Sequence, residues 1–443
     1  MEKPSTESVF SELIPELRQA LADTGYSVPT PVQSQCIPHL TAGRDLLGSA
    51  QTGTGKTAAF TLPLLQYIAG KPRPHTRRNP RVLILAPTRE LAAQIGESIR
   101  TYSRHLNISH TVVFGGVGQR AQEIAMSRGV DFLVATPGRL LDLMGQNLIK
   151  LQAVEAFVLD EADRMLDMGF IRDVRKVIQQ LPQQRQSLFF SATLSSQIVS
   201  LANTMLRNPL RVTIAPEQPT VQRIAQKVMF VDKGNKDTLL VSLFRDLGLD
   251  KVIVFTQMKH AANKVTERLM KAGITAAAIH GNKSQGARTK ALEGFRAGKI
   301  RALVATDLAA RGIDVDGITH VINYHLPIES EVYIHRIGRT ARAGLDGDAV
   351  SLCSANERDQ LRDIERLIRK TIPVDKDHSY HSETAANAVG AAAKPEPKGK
   401  RGPRKQFNRR SSSHAPASRP APAASRNFRP KRPPARKMRS GAR

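Results

Sequence analysis

Cysteine, tryptophan and long apolar runs are scarce or absent in this chain of 443 residues. It has two cysteines, Cys36 and Cys353, which lie far apart and each in an apolar context. They provide neither a disulfide framework nor a zinc ligand set, so we expect both thiols in the core. Tryptophan is absent, and no apolar run approaches the roughly 18 residues that span a bilayer. Because the N-terminus also lacks a signal pattern, we expect a cytoplasmic location without membrane contact.

Acidic residues are also in short supply, with 39 against 66 Lys and Arg, which gives a formal net charge of +27. The excess is uneven, because residues 394–443 contain 17 basic side chains and one acid, Glu396. This segment has no Leu, Ile or Val and cannot bury enough apolar area to offset its ordering entropy. We predict a disordered basic tail over residues 373–443, in which the positive charges and the isolated Phe407 and Phe428 favour binding to polyanions. A merely solubilising tail is the alternative.

Short apolar runs alternate with longer amphipathic stretches in two successive regions of the chain. This alternation predicts an α/β fold in which helices cover parallel sheets. The strand candidates of the first region are residues 46–50, 81–87, 111–115, 131–136, 156–160 and 187–191, and those of the second are 227–231, 251–256, 275–280, 301–307, 320–324 and 349–353.

A proline-bearing polar stretch at residues 214–220 separates the two regions and is typical of a linker. We therefore predict a first domain at residues 1–208, a linker at 209–222, a second domain at 223–372 and the tail at 373–443. Only the first domain has a glycine-rich loop that is suited to binding phosphate groups.

That loop is the run Ala50-Gln51-Thr52-Gly53-Thr54-Gly55-Lys56-Thr57, which follows the first strand candidate and precedes a helical stretch. It matches the phosphate-loop pattern except at Ala50, where the pattern has Gly. Gly53 and Gly55 let backbone N–H groups approach phosphate oxygens. Lys56 is expected to reach the β- and γ-phosphates, and Thr57 to hold Mg²⁺. We expect the whole run to bind nucleotide, and a glycine-rich turn without a ligand is the alternative.

Residues 156–163, Ala-Phe-Val-Leu-Asp160-Glu161-Ala-Asp163, form an apolar strand candidate that runs into three carboxylates. Together with the upstream loop, this pattern indicates hydrolysis of a nucleoside triphosphate. Asp160 is expected to bind Mg²⁺, and Glu161 to orient and deprotonate the attacking water. For Asp163 two roles stay open: a structural one, as a helix N-cap or a link to a neighbouring loop, and one in support of catalysis.

Since Asp160-Glu-Ala-Asp163 spells DEAD, the chain resembles the DEAD-box ATP-dependent RNA helicases of superfamily 2. The resemblance extends over residues 8–372 and includes these further motifs: Gly25-Tyr-Ser-Val-Pro-Thr-Pro-Val-Gln33, Pro87-Thr-Arg-Glu-Leu91, Gly115-Gly116, Thr136-Pro-Gly-Arg139, Ser191-Ala-Thr193, Gln285-Gly-Ala-Arg288, Ala310-Arg-Gly-Ile-Asp314 and His335-Arg-Ile-Gly-Arg339-Thr-Ala-Arg342. Within the family, residues 48–57, 164–170 and 280–288 are similar to the bacterial RhlE subgroup. Ala341 departs from the family, in which many members have Gly.

The resemblance implies two tandem RecA-like domains with ATP and Mg²⁺ as cofactors. It assigns adenine reading to Gln33, aromatic stacking to Phe10 and nucleotide contact in the closed state to Asp314. Arg339 and Arg342, three residues apart on a predicted helix, would share a face and reach the γ-phosphate from the second domain. Hydrolysis should then require domain closure. The residues assigned to coupling between ATP and RNA are Ser191, Thr193, His335 and Arg336.

RNA contacts are expected at the ends of predicted strands, where the loops of open α/β sheets bind ligands. The candidates are Thr88, Arg89, Gly115, Gly116, Thr136, Gly138 and Arg139 in the first domain, and Arg288 and Thr306 in the second. Because such loops approach the sugar-phosphate backbone, binding should be independent of sequence. The resemblance implies RNA rather than DNA, through contacts to 2′-hydroxyl groups.

The leading hypothesis is an RNA-stimulated ATPase that unwinds short RNA duplexes locally and non-processively, or remodels RNA–protein complexes. The resemblance to bacterial relatives also suggests work in ribosome assembly or RNA decay. Ribosomal precursors or RNA-decay proteins would then be partners of a monomeric chain. Two alternatives stay open, a DNA-directed motor of the same superfamily and a non-catalytic RNA chaperone or annealing protein that acts mainly through its basic tail.

Overall fold

The computed structural model describes residues 8–50, 53–71, 76–213, 224–310, 315, 317–341 and 346–394. These residues form two parallel β-sheets covered by helices, which confirms the predicted α/β fold with two tandem parallel-sheet domains. We call the part of the chain that is built on each sheet the first and the second domain.

The first sheet has seven strands in the order β3-β4-β2-β5-β6-β1-β7, and every neighbouring pair is parallel. The strands are β1 (Leu46–Ser49), β2 (Val82–Leu85), β3 (His110–Val113), β4 (Phe132–Ala135), β5 (Ala156–Leu159), β6 (Gln186–Ser191) and β7 (Leu210–Thr213). Its helices are α1 (Pro15–Asp23), α2 (Pro31–Thr41), α3 (Lys56–Ala69), α4 (Arg89–Tyr102), α5 (Arg120–Arg128), α6 (Pro137–Gly145), α7 (Ala162–Asp167), α8 (Ile171–Ile178) and α9 (Ser196–Asn203). A short 3₁₀ helix, Val9–Glu12, precedes α1.

The second sheet has six strands in the order β10-β11-β9-β12-β13-β8, again all parallel. The strands are β8 (Ile224–Phe230), β9 (Val252–Phe255), β10 (Ala276–Ile279), β11 (Ala302–Ala305), β12 (His320–Asn323) and β13 (Gly347–Cys353). Its helices are α10 (Lys236–Asp246), α11 (Lys259–Lys271), α12 (Gln285–Arg296), α13 (Asp307–Ala310), α14 (Ser330–Ile337), α15 (Arg358–Ile368) and α16 (Glu383–Ala386).

Helices on both faces explain why the strand sequences are continuously apolar. Successive side chains of a strand point to opposite faces, so neighbouring residues enter different cores. Phe190 packs with Phe60 of α3 on one face of the first sheet, whereas Phe189 lies in the core on the other face, with Met165 of α7. All four side chains are buried. The sheet is thereby fixed between two layers, and the loops at its strand ends are held in place.

The predicted linker begins too early. Strand β7 lies inside the range 209–222 and pairs in parallel with β1, with Leu210 opposite Leu46. The first domain therefore continues at least to Thr213, and the remainder of the predicted linker falls outside the described residues. The local sequence did not reveal this strand because only Val212 on it is fully buried.

The predicted disordered tail also begins too early, because residues 373–394 are packed on the second domain. Val374 and His381 form β-bridges to Val228 and Val231. The hydroxyl of Ser382 donates a 2.6 Å hydrogen bond to Asp232, and Ala385 is completely buried. The second domain thus extends past residue 372, and the predicted disorder of residues 395–443 lies outside the described residues.

The two cysteines occupy the positions that the sequence suggested. Cys36 and Cys353 are both free and buried. Burial raises the pKa of each thiol to about 12. Among the described residues, none of the helices has the length and apolar character needed to cross a membrane.

Candidate nucleotide and nucleic-acid site

The strand order of the first sheet divides the predicted site residues into two groups along one edge. Strands β5, β6 and β1 are neighbours, and their C-terminal ends carry the two acids, Ser191 and the phosphate loop. Strands β2, β4 and β3 form the other half, and their C-terminal ends lead to Thr88, Thr136 and Gly115. Nucleotide and RNA residues predicted from the sequence therefore lie side by side at the carboxyl edge, where open α/β sheets bind ligands.

The two glycines of the phosphate loop adopt backbone conformations that other residues rarely adopt. Gly53 and Gly55 have φ angles of +83° and +92°, in the left-handed region that favours glycine. A Cβ atom at Gly55 would lie 2.5 Å from the side-chain nitrogen of Gln33, so a residue with a side chain would also clash with Gln33 at this position. Gly55 directly precedes α3, whose N-terminus faces the loop. Gln51 and Thr52 lie outside the described residues.

Gln33 is completely buried and fixes α2 to this loop. Its Nε2 donates hydrogen bonds to Tyr26 Oη at 2.8 Å and to the carbonyl oxygen of Gly55 at 3.1 Å. Its Oε1 accepts a 2.9 Å hydrogen bond from the backbone N–H of Thr30. Phe10 packs in the core, with its ring 6.0 Å from that of Tyr26. Of the two residues predicted to bind adenine, Gln33 contacts the phosphate loop directly, and Phe10 packs on Tyr26, which is hydrogen-bonded to Gln33.

Lys56 and Asp160 follow strands β1 and β5, which β6 separates in the sheet, and their side chains interact electrostatically. The ammonium group of Lys56 is buried and donates a 2.6 Å hydrogen bond to the carbonyl oxygen of Ala50. Asp160 is 2% exposed. Burial raises its pKa to about 6, and Lys56 opposes this shift. A buried carboxylate beside a lysine and a phosphate loop is suited to holding a cation next to phosphate groups.

Glu161 follows in a left-handed backbone conformation, with φ and ψ both +53°, and starts α7. Such a conformation is strained for a side chain other than glycine and is often found at functional sites. Its carboxylate is 6% exposed and pairs through Oε2 with the guanidinium of Arg164. The backbone N–H of Glu161 donates to Asp160 Oδ1 at 2.9 Å, which fixes the two acids relative to each other.

Asp163 links α7 to the loop that follows β6. Its Oδ2 accepts hydrogen bonds from the backbone N–H groups of Ala192 and Thr193, each at 3.0 Å, and from the Thr193 hydroxyl at 3.3 Å. The Ser191 hydroxyl donates to the Thr193 carbonyl oxygen at 2.7 Å. Of the alternatives that the sequence left open for Asp163, the link to a neighbouring loop is the contact that the structure contains.

The second domain brings His335, Arg336 and Arg339 to the first. Together with Arg164 and Asp167 of α7 they line a cavity of about 30 Å³. Burial lowers the pKa of His335, and the nearby Arg164 and Arg339 lower it further, so its imidazole is neutral at pH 7.

Arg336 is held inside the second domain. Its guanidinium donates to both oxygens of Asp307, at 2.5 and 2.8 Å, and to the His325 carbonyl oxygen at 2.6 Å. Because Asp307 directly follows Thr306, this ion pair connects a predicted coupling residue to a predicted RNA residue.

The helix that was predicted to carry both arginine fingers ends too soon for this role. Helix α14 ends at Ile337, so Arg339 lies in the turn after it, and Arg342 is outside the described residues. The Nε of Arg339 donates to the His335 carbonyl oxygen at 3.2 Å, and the side chain is 6% exposed. A shared helical face for Arg339 and Arg342 is therefore wrong. Asp314 is also outside the described residues.

The predicted RNA residues of the first domain surround Arg89. Thr88 caps α4, with its hydroxyl oxygen accepting from the N–H of Leu91. A Cβ atom at Gly116, where φ is +79°, would lie 2.1 Å from an Arg89 nitrogen, so a larger residue there would be strained and would displace the Arg89 guanidinium. The others lie nearby at the starts of helices: Thr136 and Gly138 at the N-terminus of α6, and Arg139, which donates to Gln119 Oε1 at 2.9 Å and Asp142 Oδ2 at 2.8 Å.

Positive charge accumulates where the two domains meet beside this group. Burial lowers the pKa of Arg89, and so does repulsion from Arg288 of the second domain and from Arg139. Arg288 forms a 2.9 Å ion pair with Glu90, and Gln285 contacts both Glu90 and Arg89. Arg89 is thus repelled by both Arg139 and Arg288. Together the three arginine side chains form a surface suited to an anionic ligand.

Sequence reasoning gave no role to several residues that organise the site: Tyr26, Glu90, Arg164, Gln285 and Asp307. Two signals were available. Glu90 and Gln285 stand inside motifs whose other members were assigned, and Arg164 is three residues after Glu161, a spacing at which helical side chains meet. Tyr26 likewise stands inside the motif Gly25–Gln33, whose Gln33 was assigned, so of these five residues Asp307 alone gave no such signal.

A phosphate loop, two acids at the end of a strand two positions away in the same sheet and basic residues from a second sheet define a two-domain nucleoside-triphosphate hydrolase. Residues 30–201 match the family described as DEAD/DEAH box helicase, and residues 235–344 match the helicase conserved C-terminal domain. The ATP-dependent RNA helicase RhlB of Pseudomonas syringae pv. tomato is 43% identical over 81% of this chain and 92% of its own. That of a Shewanella species is 40% identical, over 82% and 83%. These relatives carry the name RhlB rather than RhlE.

Solved structures agree with this family. Saccharomyces cerevisiae Dbp5 bound to RNA and ADP-BeF3 superposes with a TM-score of 0.71 at 30% identity, covering 83% of this chain and 95% of that one. The DEAD-box helicase Mss116 bound to single-stranded RNA gives a TM-score of 0.74 at 27% identity, over 86% and 82%. The chain belongs to the DEAD/DEAH box helicase family, with two RecA-like domains, and it is an ATP-dependent RNA helicase.

Proposed function

We propose that this helicase hydrolyses ATP in response to RNA and uses the cycle to unwind short duplexes locally, or to remodel RNA–protein complexes. The observation that carries the proposal is the cavity shared by α7 and the second domain. Its lining combines residues next to the acids with His335 and Arg339 from the other sheet. Hydrolysis would therefore depend on how the domains meet.

In the proposed step a water oxygen attacks the γ-phosphorus, the bond from that phosphorus to the β,γ-bridging oxygen breaks, and ADP leaves. The carboxylate of Glu161 takes the proton of the water. Lys56 would exchange its hydrogen bond to Ala50 for one to the phosphates. Arg339 supplies positive charge from the second domain, and we assign the same role to Arg342.

Mg²⁺ would be held by Asp160 and Thr57, whose carboxylate and hydroxyl oxygens suit this ion. Asp160 fits the assignment, because burial in this structure raises the pKa of its carboxyl group and a nearby cation would compensate for the buried charge. When bound, Mg²⁺ neutralises charge on the β- and γ-phosphates.

RNA would lie across the arginine surface of both domains. Dbp5 and Mss116, whose structures are similar to this one, were both solved with RNA. The proposed contacts are helix N-termini, glycines and Arg89, Arg139 and Arg288, all of which suit phosphate groups rather than base edges. Binding would therefore be independent of sequence.

Coupling would run through α7 and α14. Asp163 connects the acids to Ser191 and Thr193, and Arg336 connects the cavity to Asp307 beside Thr306. If ATP and RNA both favour the same apposition of the domains, each must strengthen binding of the other by the same factor.

The subgroup of the helicase family to which the chain belongs is also a proposal. From residues 48–57, 164–170 and 280–288 we infer the RhlE subgroup, and a tree containing both RhlE and RhlB sequences would decide between them. We further propose a monomer in the cytoplasm that acts on ribosomal precursors or with RNA-decay proteins. RNA crosslinked to the protein in cells and then sequenced would identify the substrates.

Steady-state ATP hydrolysis tests the activity itself. Single-stranded RNA should stimulate it, and Glu161→Gln should reduce it to a low residual rate while ATP binding is kept. Equal stimulation by single-stranded DNA would favour a DNA motor. RNA annealing that survives Glu161→Gln and disappears without residues 395–443 would favour a chaperone acting through the tail.

A further inference from the structure

Arg164, the residue after the acidic tetrad, lies between the acids and the second domain. Its guanidinium pairs with Glu161, and the same side chain lines the cavity with His335, Val332 and Arg339. The Arg164 side chain is only 12% exposed.

We propose that Arg164 is a positioning residue that orients the carboxylate of Glu161 only while the second domain covers it. The proposal deepens the function above and rests on Glu161 as the base. It assigns to Arg164 a part in making hydrolysis depend on RNA.

The physical basis is the exclusion of water. An ion pair in water is weak, because solvent screens both charges and competes for their hydrogen bonds. Residues of the second domain, among them Val332 and His335, close the side of the cavity opposite α7. If they withdraw, Arg164 meets solvent and the pair with Glu161 becomes weaker. The direction of the carboxylate would then no longer be fixed.

The orientation matters because the backbone of Glu161 does not set it alone. The residue begins α7 in a left-handed conformation, without a side-chain cap bond. Pairing through Oε2 directs that oxygen to Arg164, so the second oxygen can accept a proton from water. A small displacement of such a group is enough to slow a reaction strongly.

Two adjacent polar residues of α7, Asp163 and Arg164, contact different parts of the molecule. Asp163 bonds to Ala192 and Thr193 within the first domain, so its contacts do not depend on the second. Arg164 lies next to it and lines the cavity together with His335, whose pKa it helps to lower whereas Asp163 raises it. Of the two, only Arg164 pairs with Glu161, so only Arg164 can link the position of the second domain to the Glu161 carboxylate.

The test compares Arg164→Met, Arg164→Lys and a matched control, Arg172→Met, in the full-length protein. Arg172 is an exposed arginine on the next helix, α8. Arg164→Met should lower the RNA-stimulated kcat by about 10- to 100-fold. The KM for ATP should change by less than about threefold, since ATP binding does not require the oriented base, and the rate without RNA should fall by a smaller factor than the RNA-stimulated rate. Arg164→Lys should recover part of the activity because it keeps the charge but not the planar pair of donors.

A double variant shows whether Arg164 acts through Glu161. In a Glu161→Gln background, Arg164→Met should cause no further decrease in hydrolysis. A further decrease there, an equal decrease with and without RNA, or an unchanged kcat in Arg164→Met would each overturn the proposal. If Glu161→Gln itself stays active, the assignment of the base fails. If Glu161→Gln is inactive and Arg164→Met is normal, only the role of Arg164 fails.

Discussion

Glu90 of the first domain and Arg288 of the second form an ion pair, with 2.9 Å between Glu90 Oε1 and Arg288 Nη2. Both side chains are nearly buried, at 6% and 12% exposure. The pair lies beside Arg89. Arg288 therefore belongs both to this contact between the domains and to the proposed RNA surface. Apposition of the domains and binding of RNA should therefore affect each other.

Glu90→Gln should raise the RNA concentration for half-maximal ATPase by about tenfold, because breaking a buried pair disfavours the apposed domains. The rate at saturating RNA should stay close to wild type. RNA titrations of ATPase measure both. Glu97→Gln on the same helix, whose partner Arg100 is exposed, is the control and should change neither. A lower rate at saturating RNA would mean that Glu90 acts on catalysis instead.

Asp163→Ala should destabilise the first domain and uncouple it from RNA. The change removes the acceptor of four hydrogen bonds, from the backbone N–H groups of Arg164, Ala192 and Thr193 and from the Thr193 hydroxyl. We expect the free energy of unfolding to fall by about 1–3 kcal/mol. RNA stimulation of ATPase should fall further than in Thr193→Val, which removes only the 3.3 Å contact. Urea unfolding and ATPase assays with and without RNA give the two readouts. Equal stimulation in the two variants would contradict the proposed link.

Asp160→Asn should stabilise the protein at pH 8 in the absence of Mg²⁺ and nucleotide. Burial raises the pKa of this carboxyl group to about 6 in the folded state. The unfolded chain ionises at lower pH, so stability falls as the pH rises through this window. Removing the charge should recover on the order of 1–3 kcal/mol at pH 8 and less at pH 5.

Urea unfolding at pH 5 and pH 8 checks this, with Asp173→Asn on α8 as a partly exposed control. Adding Mg²⁺ and ATP should stabilise wild type and have little effect on Asp160→Asn. A variant that is less stable than wild type at both pH values would contradict the prediction.

Ala341→Gly should stabilise the second domain by about 0.5–1 kcal/mol, because a left-handed backbone is unfavourable for alanine. Ala341 has a φ of +53°. Thermal unfolding compares this variant with Ala297→Gly, at a helix end where φ is −75°. The control should be neutral or destabilising. If both variants behave alike, strain at Ala341 is not what limits stability.

Truncation after residue 394 should weaken RNA binding and leave stability unchanged, whereas truncation after residue 372 should also destabilise the second domain. The second deletion removes Ala385, Ser382 and the bridge to Val228. Salt titrations of RNA affinity should give a shallower slope for the first truncation, by about 0.7 for each phosphate that the tail neutralises in the full-length protein. An unchanged slope would show that the tail does not bind RNA.

The local parts of the site could be predicted from sequence because each depends on a few adjacent residues. The position of the glycine-rich loop, the buried strand before Asp160 and the helix that follows the loop are all consequences of short-range chemistry. Two parallel-sheet domains likewise followed from alternating apolar and amphipathic stretches. The ends of helices and strands were predicted less accurately, since α14 ends before Arg339 and β7 lies within the expected linker.

Contacts between distant residues could not be predicted in this way. The packing of residues 373–394 depends on β8, about 150 residues earlier, because Val374 pairs with Val228. Likewise, no local pattern indicates that Glu90 pairs with Arg288 or that Asp163 bonds to the loop after Ser191.

The sequence by itself determined which chemical groups this helicase has and the strand ends on which they stand. Only the tertiary structure decided which of those ends are neighbours. The order β5-β6-β1 places the acids beside the phosphate loop, and the order β3-β4-β2 collects the proposed RNA loops in the other half of the same edge. The reason is physical. Every buried strand has similar apolar side chains, so hydrophobic patterning fixes that a strand is buried, whereas its neighbours are set by how the helices pack across the whole sheet.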